Sequence, residues 1–284
     1  MIFNAIHWDP DIGIHLGSFT IRYYSLMYVL GFLVGYYVVR AVFRREKENE
    51  ELLDPLLIYI ALGVILGARL GHVFFYDWPY FSKHPLEILL PFRFKPEFEF
   101  TGFQGLASHG ATIGIALAAW LFYRKYKTKI RHHDFLWWVD RLTLAIPFGG
   151  AMIRIGNLLN SEIVGKPTHS NYGFIFVQLG ENFPRHPTQL YEAGSYLLLF
   201  FLMLWIYWKT RIPQFRGMMF GIFFTLLWVI RFVIEFWKEP QDAADAQVLL
   251  HTGLDKGQWL SVPFILIGLF FIWYGKKHRY NEAH

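Results

Sequence analysis

Apolar residues gather along this chain in windows of about 20, the length that crosses a bilayer's hydrocarbon core as a helix. Seven such windows are read, at Phe19–Val39, Pro55–Tyr76, Gln104–Tyr123, Phe135–Leu158, Pro187–Trp208, Gly217–Trp237 and Gln258–Gly275. They predict an all-α membrane protein with seven transmembrane helices, forming a single integral membrane domain over residues 1–284. Two intervening segments are long. In 77–103 the run Phe92-Arg-Phe-Lys-Pro-Glu-Phe-Glu-Phe100 alternates apolar and charged residues around Pro96. That period of two predicts a strand pair with one greasy face, an interfacial arm; an irregular loop with scattered aromatics is the other reading. In 159–186 turn residues precede Gly173-Phe-Ile-Phe-Val177, a short strand in an extracytoplasmic head.

The polar segments between the windows alternate in basic content. Those at 40–54, 124–134, 209–216 and 276–284 hold 15 Lys and Arg in 43 residues, whereas those at 1–18, 77–103, 159–186 and 238–257 hold 7 in 93. The positive-inside rule makes the first set cytoplasmic, which predicts the N-terminus outside and the C-terminus inside. Residues 1–18 carry no Lys or Arg and show no small-residue cleavage pattern, so the first window is expected to stay as a membrane helix.

Composition changes the picture in three ways. Only 17% of the 284 residues are charged and 20% are aromatic, a balance that fits a membrane rather than a soluble domain. The net charge of +5 is accounted for by the cytoplasmic loops, so no nucleic-acid partner is expected. Cysteine is absent, which excludes disulfides, thiolate metal sites and a cysteine nucleophile of the protein's own. A thiol brought by a substrate remains open.

The chemistry lies in the charges that the windows contain. Arg22, Arg69, Arg141, Arg154 and Arg231 sit inside them, and no lysine does. A charge at membrane depth costs about 3 kcal/mol or more, and a guanidinium forks onto phosphate or carboxylate oxygens. By the predicted topology four of the five lie toward the outer leaflet, which points to an anionic lipid headgroup. Asp140 and Arg141 lie at the cytoplasmic end, where an interfacial pair or snorkelling is the reading. Arg154, Asn157 and Asn160 recur every three residues among small Gly149, Gly150, Ala151 and Gly156, with Glu162 just beyond. A structural alternative has Arg154 capping neighbouring carbonyls. Arg231 and Glu235 are four apart and share a helix face, as a site or as a closed internal pair. His109 opens the third window beside the outer arginines; the bland reading is a satisfied core histidine. Arg185-His-Pro-Thr-Gln189-Leu-Tyr-Glu192 runs from the head into the fifth window. Arg22 and Tyr24 flank the start of the first window. Arg69 is either a partner for Asp77 or a headgroup contact.

At these residues the chain resembles the prolipoprotein diacylglyceryl transferase family. The matching segments are Arg22–Met27, Gly67–Leu70, Gly105–Gly110, Arg154–Gly165, Arg185–Glu192, Arg231–Glu235 and Gly257–Pro263. The resemblance implies a seven-helix enzyme of the bacterial inner membrane. It would move diacylglyceryl from phosphatidylglycerol to the lipobox cysteine in the signal peptide of a preprolipoprotein, forming a thioether. Carried over residue by residue, the family's important positions are Tyr24, His109, Arg154, Asn157, Glu162, Arg231 and Glu235. Ala111 stands where the family's His-Gly-Gly has its second glycine, and Leu227 stands where some members carry a tyrosine.

The implied reaction sets three demands. The leaving phosphate must be held as its charge grows, which suits Arg154 and Arg231. The substrate thiol, with an ordinary pKa of about 8.5, must lose a proton, for which His109 is the first candidate and Glu235 the second. The lipid must be oriented, by Tyr24, Asn157 and Glu162, with Asn160, Arg69, Gln189 and Glu192 as further contacts. No metal or other cofactor is expected. A transporter or channel for an anionic solute is the alternative reading, and a lipid-binding scaffold a third.

Overall fold

The computed structural model describes residues 5–17, 19–75, 77–90, 92–93, 99–100, 107–131, 134–240 and 243–280. In chain order the elements are strands β1 (Ile6–Trp8), β2 (Gly13–Leu16) and β3 (Phe19–Arg22), then helices α1 (Tyr23–Glu46), α2 (Leu53–Phe75) and the single turn α3 (Trp78–Phe81). Next come β4 (Phe92–Arg93), β5 (Glu99–Phe100), α4 (Ser108–Tyr126), α5 (Phe135–Leu142), α6 (Ile146–Leu159) and β6 (Phe174–Phe176). The chain closes with α7 (Thr188–Lys209), α8 (Met218–Ile234), α9 (Ala243–Thr252) and α10 (Lys256–Lys277). Among the described residues, five segments are long and apolar enough to cross a membrane: α1, α2, α7, α8 with its following turn, and α10. The pair α5–α6 makes a sixth, bent by 42°. Of the seven windows, the third yields α4, a 19-residue helix outside that set.

Two windows fold differently from their pattern. Phe19–Arg22 is strand rather than helix, paired antiparallel with β2 so that Gly13 faces Arg22, and α1 starts only at Tyr23. The extended preference of adjacent Thr20 and Ile21 accounts for this. The fourth window breaks after Leu142 and restarts at α6, whose first turn contains Pro147. Proline lacks the N–H an unbroken helix would need there, and it fits the start of a new one.

The chain divides into two compact units, residues 1–42 with 136–284, and residues 43–135. In the first, small residues bring helices together. Gly31 of α1 meets Gly149 of α6, and Gly221 of α8 meets α10 around Gly268 and Ile272. An apolar core of Val42, Leu144, Leu199, Met203, Ile206, Tyr207, Met219 and Phe223 fills the interior. Asp140 and Arg141 do not snorkel. Asp140 is fully buried and accepts from the Gly217 and Phe220 amides (2.9 and 2.8 Å) and the Tyr280 hydroxyl (2.8 Å). It thereby satisfies donors at the start of α8 that lack a helical partner. Arg141 lies over the rings of Trp137 and Tyr280.

The head grows from the same unit. β1 pairs in parallel with β6, Ile6 opposite Phe174, and the Trp8 indole donates to the Leu158 carbonyl at 2.8 Å. β6 is the strand expected within Gly173–Val177. In the second unit α2 and α4 touch backbone to backbone: Gly67 abuts Gly110, and Gly63 abuts Gly114. β4 and β5 pair antiparallel as the alternating Phe/charge run predicts; residues 94–98 between them lie outside the described residues.

Candidate active site

The residues that recur every three along α6 begin the site. Arg154, 8% exposed, forms an ion pair from Nε to Glu192 Oε2 at 2.9 Å and donates from Nη1 to Asn157 Oδ1 at 3.2 Å. Asn157 in turn donates to Glu162 Oε2, and Asn160 to Glu162 Oε1, both at 3.1 Å. Glu162 reaches back because α6 ends at Leu159 in an irregular turn. Ser161 and Ile163 both adopt positive φ, 52° and 56°. For a β-branched residue such as Ile163 that conformation is strained, and it persists only where surrounding contacts hold it. Here the Glu162 amide bonds the Asn157 carbonyl at 2.9 Å and Gln189 Nε2 bonds the Glu162 carbonyl at 2.6 Å.

From α7, Glu192 is fully buried and is shared between cations. One oxygen takes Arg154; the other takes Lys238 Nζ at 3.0 Å. Lys238 also donates to Glu235 Oε2 at 3.1 Å. The network therefore runs unbroken from Asn160 through Glu162, Asn157, Arg154, Glu192 and Lys238 to Glu235. Arg231, on the last turn of α8, lies against the Tyr196 hydroxyl in the field of Glu192 and Glu235, with its guanidinium 5.3 Å from the Trp228 ring centre. Among the described residues no ion pair joins Arg231 to Glu235, so the closed internal pair that their spacing allows does not form. Gly257, at the start of α10, packs directly on the Glu235 carboxylate. Tyr24 lies with its ring on Gly156 and its hydroxyl 3.5 Å from that of Tyr28.

Arg69 of α2 donates to the carbonyls of Ile88 (2.9 Å) and Glu87 (2.5 Å) and lies over the Phe81 ring, so it anchors the start of the arm. His109 belongs to the first turn of α4, and its side chain lies outside the described residues. Gln189 acts on the Glu162 backbone. Leu227 packs with Ala151, Met152 and Tyr196.

Three residues escaped the sequence reading. Lys238 falls in the polar segment after the sixth window, although its spacing of three from Glu235 is a helical-neighbour signal. Tyr196 carries no charge to mark it. Arg185, quoted only as part of a motif, is the hub of the head. It bonds Glu181 through two nitrogens (2.5 and 2.6 Å), Glu239 (2.6 Å) and the Gly165 carbonyl (3.0 Å). Its bonding to Glu181 raises its pKa, while burial lowers that of adjacent His186. Among the described residues no group of three or more His, Asp or Glu is set to hold a metal ion.

Fold and site together define a multi-pass membrane protein with an arginine and a lysine paired to carboxylates inside it. The sequence model of prolipoprotein diacylglyceryl transferase matches residues 11–274. A phosphatidylglycerol–prolipoprotein diacylglyceryl transferase of Bacteroides fragilis is 40% identical over 277 residues, covering 96% of each chain. One of Tolumonas auensis is 40% identical over 275 residues, covering 96% of this chain and 99% of its own. One of Chloroherpeton thalassium is 38% identical over 281 residues, 98% and 97% of the two chains. The chain belongs to the prolipoprotein diacylglyceryl transferase family.

Proposed function

We propose that this protein transfers the diacylglyceryl group of phosphatidylglycerol to the cysteine thiol of a preprolipoprotein lipobox, forming a thioether and releasing glycerol phosphate. This is the first step of bacterial lipoprotein maturation. One observation carries the reading. In a chain that aligns almost end to end with enzymes of that name, Arg154, Asn157, Glu162 and Glu235 join in one network, buried at Arg154 and Asn157.

The chemistry needs few parts. The thiol proton goes to a base, the thiolate sulfur bonds the glycerol carbon that carries the phosphate, and the carbon–oxygen bond breaks with its electrons leaving on glycerol phosphate. Arg154 and Arg231 hold that phosphate as its charge grows. Glu192 and Asn157 fix the Arg154 guanidinium beforehand, so little reorganisation falls in the transition state. Tyr24, Asn157, Asn160 and Glu162 orient the glycerol, while Gln189 keeps Glu162 in its turn. Arg69 anchors the arm. His109 is the base, and Glu235 the second candidate for it; the resemblance and the intrinsic pKa of imidazole support the first. The reading includes seven spans, with α4 as the third, the N-terminus outside and the bacterial inner membrane as the location. The 15-to-7 basic asymmetry supports that topology.

Purified protein incubated with phosphatidylglycerol and a lipobox peptide tests the proposal. The peptide gains the mass of one diacylglyceryl unit, a peptide with serine for cysteine gains none, and glycerol phosphate appears in equal amount. A peptide that stays unmodified overturns it.

A further inference from the structure

Lys238 stands where the head meets the end of α8. Its backbone pairs antiparallel with Gly165, and the next pair of residues is tied by Lys166 N donating to the Trp237 carbonyl at 2.8 Å. This pairing fixes the direction of a side chain only 6% exposed, whose ammonium bridges Glu192 Oε1 and Glu235 Oε2. The network holds three cations, Arg154, Arg231 and Lys238, against three carboxylates, Glu162, Glu192 and Glu235. A largely buried carboxylate left without its cation takes another within reach, because an uncompensated charge away from water is costly; the Glu235 side chain is 12% exposed. The cation within its reach is Arg231, four residues back on the same face.

We infer that Lys238 is a positioning residue for lipid binding: by holding Glu235 it keeps the Arg231 guanidinium out of an ion pair and available to a phosphodiester headgroup. The inference rests on the proposed function, since it takes the headgroup to be that of phosphatidylglycerol. It explains why a helical Arg/Glu pair at ideal spacing stays open here. It also explains a buried lysine in a protein whose other membrane-depth cations are arginines. Lysine's compact ammonium sits between two carboxylates, whereas a fork would compete for the phosphate that the arginines bind.

A double-mutant cycle on lipid binding, rather than on turnover, tests this. The full-length protein is titrated with phosphatidylglycerol in phosphatidylcholine nanodiscs. Lys238→Met weakens binding by about tenfold in the otherwise native protein, but by less than about threefold when Glu235→Gln is also present, because the carboxylate four residues from Arg231 is then gone and Glu192 keeps its ion pair with Arg154. An equal loss in both backgrounds means that Lys238 serves folding alone, and no loss in either means that Arg231 needs no such protection; both overturn the inference. If Lys238→Met does not fold, the double variant Lys238→Met/Glu235→Gln carries the test, since both partners of the ion pair are then neutral. It must bind within about threefold of Glu235→Gln alone. Native protein that fails to bind phosphatidylglycerol strikes at the proposed function instead.

Discussion

Arg154 shows how much of the site depends on single atoms. Its Nε and Nη1 are committed to Glu192 and Asn157, and Asn157 is committed in turn to Glu162. The spacing of Arg154, Asn157 and Asn160 made one face legible in the sequence, and the identity of Glu162 followed from the resemblance. The turn that brings Glu162 back was not legible, because positive φ at Ser161 and Ile163 contradicts what those residue types prefer. Lys238 was not legible as a site residue because the apolar window ends at Trp237 and leaves it in the polar segment that follows. The base belongs to this scale too. With His109 as base, His109→Gln slows transfer strongly near neutral pH while leaving phosphatidylglycerol binding nearly intact. That defect shrinks as the pH approaches the thiol's own value of about 8.5, where solvent supplies thiolate. Rates measured across pH 6.5–9 check it (about the range where thiol and imidazole both titrate), and a defect independent of pH assigns the proton to another group.

Helix identity was largely written in the apolar pattern, and helix boundaries were not. Strand β3 and the break before α6 each arise from a short local preference, Thr-Ile in one case and Pro147 in the other, inside a window whose mean hydropathy masks it. The arm hairpin was legible because Phe and charge alternate across adjacent strands. The pairing of β1 with β6 was not, since helices α1 to α6 lie between the two strands in sequence and the strands carry no mutual signal. Packing between α1 and α6 supplies a test at this scale. Alanine is a better helix residue than glycine by about 1 kcal/mol, so propensity alone predicts that Gly156→Ala stabilises the protein. A Cβ at Gly156, however, collides with the Tyr24 ring, and overpacking costs about 1–3 kcal/mol. Packing wins, so the variant melts at lower temperature and transfers more slowly. Higher thermal stability would show that the Tyr24 ring moves aside freely.

For the whole molecule, the charge distribution predicts a direction that the helices alone do not. Reporter fusions after residues 45, 128 and 212 give cytoplasmic signals, and those after 95 and 175 give external ones. An internal signal at 175 would place the head on the wrong side for a secreted substrate. The central claim is that a guanidinium, held in advance by carboxylate and amide, grips the phosphate of the departing headgroup. Arg154→Lys tests it most directly, because lysine keeps the charge and removes the planar fork. The measurement is kcat/KM for phosphatidylglycerol with a saturating lipobox peptide, in native and Arg154→Lys protein of equal thermal stability. The account predicts a fall of at least about tenfold, or 1.4 kcal/mol of transition-state stabilisation. Near-native kcat/KM in the lysine variant would contradict it and make Arg154 a structural partner of Glu192.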